Sequence, residues 1–388
     1  MIVYISKSMI LDSFPTTHSE IAALLSDFKI LSACFTMLFS LAVTVIVMPK
    51  IIAISKKKNL TAEPNARTSH KGIVPTLGGI GVFTGLLLTV NISAILFADF
   101  IQIIDLLIFN ILVLLLLLVG VFDDIMTIAP RQKFFFQLLI AFVFVLGTNI
   151  TIHSFSGLFG IQHIPAMLGA VFSVFVIVLI INAYNLIDGI DGLAGALGTL
   201  VSMFLALVFF YSNYFFYSLI SLSLAGTLVG FLIYNFSHKR KIFLGDTGSM
   251  VVGFVLAFQV VLFLKLSSFE PDLLVFKNAP VFVLALLSYP LIDTLRVFSI
   301  RILNKRSPFS ADRCHIHHRL LDLGFSHILA TILISVYTII ITVMAFALND
   351  LPVNIAFCIM LPVALVLLLL PFALERKEGK LCFVLPGL

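Results

Sequence analysis

The sequence predicts an all-α integral membrane protein with about eleven transmembrane helices. Of its 388 residues, 61% are hydrophobic and 11% are charged, whereas an ordinary soluble domain carries roughly 25% charge. Apolar runs long enough to span a bilayer, about 17–25 residues each, recur along the whole chain. Lys and Arg cluster in alternate loops between these runs. The net charge of +5 therefore indicates membrane topology rather than nucleic-acid binding.

The apolar runs define the predicted spans. We expect helices near residues 28–49, 73–97, 102–121, 133–150, 164–184, 193–211, 213–234, 247–266, 279–299, 327–348 and 351–373. The break within 193–234 is the weakest of the series. Since no soluble domain or internal repeat interrupts it, we expect one membrane domain over residues 1–388, with the motifs within 45–325.

The basic residues favour an odd number of spans, with the N-terminus outside and the C-terminus in the cytoplasm. In that orientation all but four of the 24 Lys and Arg residues fall on the inside. The four on the outside are Lys7, Lys29, Lys265 and Lys277. Since the longest polar stretches are inside loops, we expect the polar chemistry at the cytoplasmic face.

The stretch 182–195 carries the most unusual pattern. Four polar residues recur there at a spacing of three, namely Asn182, Asn185, Asp188 and Asp191. Amides and acids at the mouth of an apolar helix are costly unless they bind something. Gly189 and Gly192 lie between them, which predicts that the helix opens into a loop with both acids facing one cavity. Asn182, one turn deeper, is expected to support this site from within the helix.

Other acids also fall at helix ends. Asp123 and Asp124 are adjacent, and adjacent like charges require a cation or another partner. They are interpreted as a metal-linked pair or general base, or alternatively as a solvated helix end. Asp246 stands between two glycines just before an apolar helix, where a carboxylate suits Mg²⁺ or caps the helix.

A loop near residue 315 concentrates His and Arg. His315, His317 and His318 follow Arg313 closely, a pattern that favours an anion clamp for phosphate. A zinc site is a second interpretation, although no Cys or carboxylate stands at a convincing spacing to complete it. A basic surface loop without a ligand is the third.

Several further polar residues have two interpretations each. Arg67, His70 and Lys71 lie in the first inside loop, where basic residues attract lipid phosphate. Lys133 is either a phosphate ligand or a membrane-side anchor. Asn235 is either a base-reading amide or a helix cap.

Asp293 lies inside an apolar helix. Its spacing predicts an ion pair with Arg296 at i+3. The alternative is that Asp293 belongs to the functional site.

Together, these motifs resemble a known family. The Asp-Asp pair, the Asn-x-x-Asp-Gly-x-Asp-Gly stretch, the Gly-Asp-Thr-Gly-Ser motif and the His-Ile-His-His loop occur in the same order in polyprenyl-phosphate N-acetylhexosamine-1-phosphate transferases. The His-Ile-His-His loop resembles the branch that makes lipid-linked N-acetylglucosamine. It is less similar to the phospho-MurNAc-pentapeptide branch.

The resemblance implies a reaction and its surroundings. UDP-N-acetylglucosamine and undecaprenyl phosphate would give undecaprenyl-diphospho-N-acetylglucosamine and UMP, the first membrane step of a cell-surface polysaccharide pathway. It implies Mg²⁺, with Mn²⁺ as a substitute, and a site on the cytoplasmic face of a bacterial inner membrane. The expected partners are the two substrates and membrane lipid, with no nucleic acid; a homodimer is compatible with the family. N-acetylgalactosamine and phospho-MurNAc-pentapeptide stay open as alternative sugars.

The resemblance also implies roles for individual residues. The implied metal ligands are Asp246, Asp123 and Asp124. The implied catalytic residues are Asp123, Asp124, Asp188, His315, His317 and His318. The implied substrate-binding residues are Asn185, Asp191, Asn235, Phe243, Lys133, Arg313, Arg67, His70 and Lys71.

Two questions stay open at this stage. The lipid phosphate attacks the nucleotide sugar directly, or an aspartyl-phosphate intermediate forms first. A nucleotide-sugar or anion carrier is the distant alternative class, but carriers place their sites near the bilayer midplane between repeats. Here the polar groups gather at one membrane surface. A lipid-binding scaffold would have no need of five such acids.

Overall fold

The computed structural model describes residues 29–62, 74–97, 103–269, 276–308, 313–377 and 380–383. The α-helices are α1 Lys29–Lys57, α2 Gly78–Leu96, α3 Ile103–Met126, α4 Pro130–Thr148, α5 Ala166–Ile187, α6 Leu193–Tyr211, α7 Phe215–Asn235, α8 Gly245–Phe269, α9 Ala279–Leu286, α10 Ser288–Leu303, α11 Ile316–Asp322, α12 His327–Ala347 and α13 Val353–Leu369. Two antiparallel two-stranded sheets pair β1 Thr61–Ala62 with β2 Val74–Pro75 and β3 Leu374–Lys377 with β4 Lys380–Phe383. Short 3-10 turns lie at Leu158–Gly160 and Leu370–Ala373.

The described helices confirm the predicted membrane architecture. Ten are long and apolar enough to cross a membrane, and α9 with α10 makes an eleventh if this bent pair counts as one span. The predicted break between 193–211 and 213–234 is also confirmed, since α6 and α7 are separate helices.

Of the helices that extend beyond their predicted ends, two carry candidate site residues in the added part. The third was predicted to end near residue 121, yet α3 continues to Met126 and holds Asp123 and Asp124 in its last turn. The fifth continues past 184 to Ile187 and includes Asn185. In both cases partners from other helices satisfy the polar side chains, so the helix can continue through them.

α8 lies at the centre of the bundle. It packs against α2, α3, α5 and α6, and 89% of its 18-residue apolar segment is buried. Phe254 and Phe258 on α8 contact the ring of Phe144 at centroid distances of 5.7 and 5.5 Å. Gly79 lies directly against Gly248, so the glycine at the start of α2 permits close packing of that helix on α8.

The ninth span is broken, contrary to the continuous helix predicted over 279–299. α9 and α10 are bent by 73° at the residue between them, Leu287. Pro290 lies in the first turn of α10. In a continuous helix its ring would clash with the carbonyl of Leu286 and would remove a backbone donor, so the chain breaks one turn earlier.

The two ends of the described chain lie at opposite ends of the bundle. Lys29 at the start of α1 donates to Asn213, just after α6, at 3.1 Å. Arg319, on α11, donates to the carbonyl of Leu374 at 2.7 Å. Since α6 has 19 residues and therefore a length of about 28 Å, Asn213 lies far from the polar loop that precedes α6.

Candidate active site

Four polar side chains meet where α3, α4, α5 and α8 end or begin. The Lys133 ammonium lies 2.9 Å from the Asp123 carboxylate and also pairs with Asp246. It is 3.4 Å from the amide oxygen of Asn185. The sequence analysis singled out all four residues separately, and the fold brings them into one cluster.

Asp246 is the most open carboxylate of this cluster. Its side chain is 36% exposed, whereas that of Asp123 is 8% exposed. Asn185 donates through Nδ2 both to Asp246 and to the hydroxyl of Ser249, at 2.8 Å. Ser249 was not predicted, although it stands three residues after Asp246 in the same motif.

Asp124 points away from this cluster and caps α8. One carboxylate oxygen accepts the backbone N–H of Asp246 at 2.8 Å, and the other accepts the N–H and hydroxyl of Thr247 at 3.0 and 2.5 Å. Neighbouring side chains on a helix diverge by about 100°, which separates Asp124 from Asp123. Gly245 has φ +74°, and a Cβ there would lie 2.8 Å from the Asp124 carboxylate. The adjacent acids therefore have different surroundings.

Asp188 follows the last residue of α5 and opens the loop predicted from the glycines. Among the described residues it has no hydrogen-bond or ion-pair partner. Burial, followed by the nearby carboxylates of Asp246, Asp124 and Asp191, raises the pKa of Asp188 well above its usual range. A divalent cation beside Asp188 and Asp246 would relieve this excess of negative charge, and carboxylate oxygens suit Mg²⁺.

Asp191, three residues on, is fully paired. Its carboxylate lies 2.6 Å from the Lys241 ammonium and 3.1 Å from His327. Burial opposes ionisation, but the hydrogen bonds from His327 and Lys241 lower the pKa of Asp191 below its usual value. Lys241 also lies over the ring of Phe243, 5.4 Å from its centroid. Lys241 could have been predicted as a site residue from its position two residues before Phe243. The position of His327 at the start of a helix gave no such indication.

Asn235 connects the loop between α5 and α6 to the segment before α8. Its buried amide accepts the N–H of Gly192 at 2.5 Å and donates to the carbonyl of Ile242 at 2.8 Å. It thus ties the turn before α6 to the strand-like segment before α8. The amide therefore bridges two loops, which differs from both a simple helix cap and a base-reading amide. Asn182 donates to Gln137 at 2.6 Å, in agreement with a supporting role.

The three histidines form a buried stack behind the loop. The His315 and His317 rings are nearly parallel with centroids 5.3 Å apart, and His318 lies 4.3 Å from His317. His317 contacts Gly189, where any side chain would collide with its ring. Its Nδ1 is 3.1 Å from the hydroxyl of Tyr289.

The electrostatics of this stack differ from those of a charged clamp. Burial and the neighbouring His318 and His315 lower the pKa of His317 well below its usual range. Burial and Arg313 lower the pKa of His318 to about 4. These two imidazoles are neutral at pH 7, so they offer N–H donors rather than positive charge to an anion.

The structure supplies a carboxylate that the zinc interpretation lacked. Asp293, His315 and His317 offer ligand atoms within 4.8 Å of one another. Asp293 also pairs with Arg296 at 2.9 Å, as predicted from their spacing. Asp293 therefore makes the predicted ion pair and also contacts His315.

The remaining predicted residues lie at the periphery or outside the described chain. Arg313 is 42% exposed and 3.7 Å from Asp322, which is a weak surface contact. Arg67, His70 and Lys71 lie outside the described residues.

Comparisons with known proteins show which family the chain resembles. The model of the family described as glycosyl transferase family 4 matches residues 106–264, a range that includes Asp123, Asp188 and Asp246. An undecaprenyl-phosphate α-N-acetylglucosaminyl 1-phosphate transferase of Pasteurella multocida is 31% identical over 288 residues, 73% of this chain and 77% of the relative.

Two further relatives differ in the length that matches. A probable undecaprenyl-phosphate N-acetylglucosaminyl 1-phosphate transferase of Bacillus subtilis is 29% identical over 84% of this chain and 87% of its own length. A decaprenyl-phosphate N-acetylglucosaminephosphotransferase of Mycobacterium leprae is 40% identical over 114 residues, 28% of each chain. The identity and coverage shared with the Pasteurella protein show that this chain belongs to glycosyl transferase family 4.

Proposed function

We propose that the protein transfers N-acetylglucosamine 1-phosphate from UDP-N-acetylglucosamine to undecaprenyl phosphate. The observation that carries the proposal is the convergence of Asp123, Asp188, Asp246 and Lys133 at the helix ends of a multi-pass membrane protein. Acids that face one another with one ammonium between them suit phosphate substrates and a cation. The activities by which the Pasteurella and Bacillus relatives are named support the choice of lipid and sugar.

In the proposed reaction an oxygen of the lipid phosphate attacks the β-phosphorus of the nucleotide sugar. A new P–O bond forms there, while the bond from this phosphorus to the bridging oxygen breaks, and UMP leaves with that oxygen. Phosphoryl transfer depends mainly on positioning and on neutralising charge. The residues of the cluster are therefore assigned by where their charges lie.

Asp246 and Asp188 fit an Mg²⁺ ion best. Asp246 is the most exposed acid of the Lys133 cluster, and Asp188 has no partner among the described residues. When bound, Mg²⁺ supplies positive charge to the diphosphate and to the leaving UMP. The hydrogen bond from Asn185 orients the Asp246 carboxylate.

Lys133 and Asp123 are assigned to the lipid phosphate. The Lys133 ammonium is mostly buried and lies between two carboxylates. Because it has two partners, it can shift from Asp246 toward an incoming phosphate and stay paired with Asp123. Asp123, whose second oxygen accepts the N–H of Ile128 at 3.0 Å, is held where it can take or share the proton of the lipid phosphate. Asp124 is assigned to positioning, since its oxygens are occupied by the start of α8.

The uridine is assigned to the region beside Asp191. Phe243 offers a half-buried ring, and Lys241 and Asp191 are fixed next to it by their 2.6 Å ion pair. An aromatic face with fixed polar groups at its edge suits a nucleobase. His317 and His318, which are neutral at pH 7, would then donate N–H groups to the diphosphate and sugar.

We place the reaction on the cytoplasmic face of a bacterial inner membrane. This follows from the basic residues that flank the acidic helix ends. UDP-sugars are cytoplasmic, whereas the lipid phosphate is confined to the bilayer, and a site at the surface serves both.

The test is release of UMP by the detergent-solubilised full chain. The reaction contains undecaprenyl phosphate, Mg²⁺ and one of three donors, which carry N-acetylglucosamine, N-acetylgalactosamine or MurNAc-pentapeptide. We expect the fastest release with UDP-N-acetylglucosamine and none without the lipid. A carrier would release no UMP from any donor, and faster release from another donor would correct the sugar. Trapping of labelled covalent enzyme without the lipid would refute the direct attack.

A further inference from the structure

We propose that Asp293 is the positioning residue for His315 and thereby for the histidine stack that faces the substrate. This inference rests on the proposed function, because it assigns the stack to the nucleotide-sugar side of the reaction. It concerns a residue of α10 that lies outside the Asp-rich motifs.

The Asp293 carboxylate is the point at which α10 meets the histidine loop. It is 0% exposed. One oxygen lies 2.9 Å from Nδ1 of His315. The other accepts the N–H of Ile316 at 3.2 Å and the guanidinium of Arg296 at 2.9 and 3.3 Å. Apart from Arg296, the hydrogen-bond partners of this carboxylate among the described residues all belong to the histidine loop.

These contacts define the hydrogen-bonding state of His315. The Asp293 carboxylate accepts hydrogen bonds from Arg296 and from the N–H of Ile316, and its oxygens act as acceptors, so Nδ1 of His315 is assigned the hydrogen. In the neutral ring, Nε2 is then the nitrogen with the free lone pair. An Asp that fixes the tautomer and ring orientation of a His is a recurrent device in catalytic sites.

Arg296 also connects α10 to the histidine loop. It donates to the carbonyl of Cys314, the residue just before His315, and its guanidinium lies 4.6 Å from the ring centroid of Phe372. Together, Asp293 and Arg296 fix the backbone of the loop and the ring of His315 at the position where α11 begins. The stack then transmits this placement, since His315 lies parallel to His317 and His317 touches Gly189, the residue after Asp188.

A metal ion at Asp293, His315 and His317 is the competing reading of the same cluster. The guanidinium of Arg296 binds the same carboxylate at 2.9 Å, and a dication beside it would face a direct repulsion. The geometry therefore favours the ion pair and the hydrogen bond over a metal.

The test compares Asp293→Asn, His315→Gln and the double variant. For each we measure kcat, the KM for UDP-N-acetylglucosamine and the KM for undecaprenyl phosphate, together with binding of labelled UDP-N-acetylglucosamine without the lipid. We expect Asp293→Asn to reduce kcat/KM for the nucleotide sugar on the order of 10-fold and to weaken its binding, with an unchanged KM for the lipid. The double variant should be no worse than His315→Gln alone.

Asn110→Ala is the matched structural control. Asn110 on α3 exchanges hydrogen bonds with Asn91 on α2 at 2.8 and 3.2 Å, remote from the histidine stack along the chain. This variant should lower the melting temperature and leave both KM values unchanged.

Three results would overturn the inference. They are a loss of kcat in Asp293→Asn with both KM values and nucleotide-sugar binding intact, losses that multiply in the double variant, and tight Zn²⁺ binding by the wild type that Asp293→Asn abolishes. Failure of the proposed function would look different, because the wild type itself would then release no UMP. Binding of labelled UDP-N-acetylglucosamine by the wild type, the two single variants and the double variant would still decide the role of Asp293.

Discussion

The ammonium of Lys133 on α4 is paired with the carboxylate of Asp246 on α8, 113 residues further along the chain. An ammonium at the acid that best fits Mg²⁺ acts as an internal counter-ion. The same group would have to move when a metal ion or a phosphate enters. This contact therefore couples the charge of the cluster to substrate binding.

Removal of that ammonium should separate metal binding from turnover. We expect Lys133→Met to bind Mn²⁺ more tightly than the wild type, because no internal cation competes for Asp246. The same variant should lose at least about 10-fold in kcat, because a charge that stabilises the phosphates is missing. Electron paramagnetic resonance of added Mn²⁺ measures the first effect and UMP release the second.

Lys277→Met provides the control for this comparison. Lys277 forms an exposed ion pair with Asp350 at 2.8 Å, so its loss should change neither quantity. Weaker Mn²⁺ binding in Lys133→Met would contradict the counter-ion role.

Asp246→Asn should abolish Mg²⁺-dependent UMP release. The amide keeps the shape of the side chain but loses the negative charge that holds a dication. A titration of activity with Mg²⁺ measures the effect. Turnover near the wild-type level would remove Asp246 from the metal site.

The adjacent acids Asp123 and Asp124 should differ in what their loss affects. Asp124→Ala removes the acceptor for three donors at the start of α8, so we expect a loss of about 1–3 kcal/mol in stability. Asp123→Asn should reduce turnover with a smaller change in stability. Thermal unfolding followed in detergent, beside UMP release, separates the two effects. Equal unfolding temperatures for both variants would contradict the cap.

Asp188 and Asp191 should have opposite effects on stability at neutral pH. The raised pKa of Asp188 means that the folded state retains its proton above the unfolded pKa, so this group lowers stability as pH rises. The lowered pKa of Asp191 means that its contribution is present above the unfolded pKa and is lost as pH falls through the folded pKa.

In the absence of Mg²⁺ at pH 7, we therefore expect Asp188→Asn to raise the melting temperature and Asp191→Asn to lower it. Melting curves from pH 4 to 8 measure both trends. Added Mg²⁺ should stabilise the wild type more than Asp188→Asn. A lower melting temperature for Asp188→Asn without metal would contradict this account.

The sequence predicted the helices well because a bilayer imposes a minimum length of apolar residues that is easy to see. It predicted the clustering of Asp123, Asn185, Asp188 and Asp246 because each stands at the same end of a span. The break at Leu287 was missed, although Pro290 was visible, because a proline also occurs within otherwise long helices such as α1, at Pro49.

The partners of the acids were harder to predict. Adjacent Asp123 and Asp124 look equivalent in sequence, and only the start of α8 separates their roles. Lys241 and His327 approach Asp191 from 50 and 136 residues away, at positions that also suit a membrane anchor or a helix start. Asp293 was recognised as unusual, but its contact with His315 depends on the bend before α10, which the pattern of apolar residues does not reveal.

The bend of 73° between α9 and α10 affects how the two proposed substrates can arrive. α9 has 8 residues and a length of about 12 Å, so it covers less than half of a hydrocarbon core of about 30 Å. α10 continues at a steep angle and exposes Leu295, Ile302 and Leu303 while it presents Asp293 to the histidine stack. We expect these exposed apolar side chains to face the leaflet. A substrate with a polyprenyl tail would enter sideways by diffusion in two dimensions, and a nucleotide would enter from the water, so neither needs to pass the other.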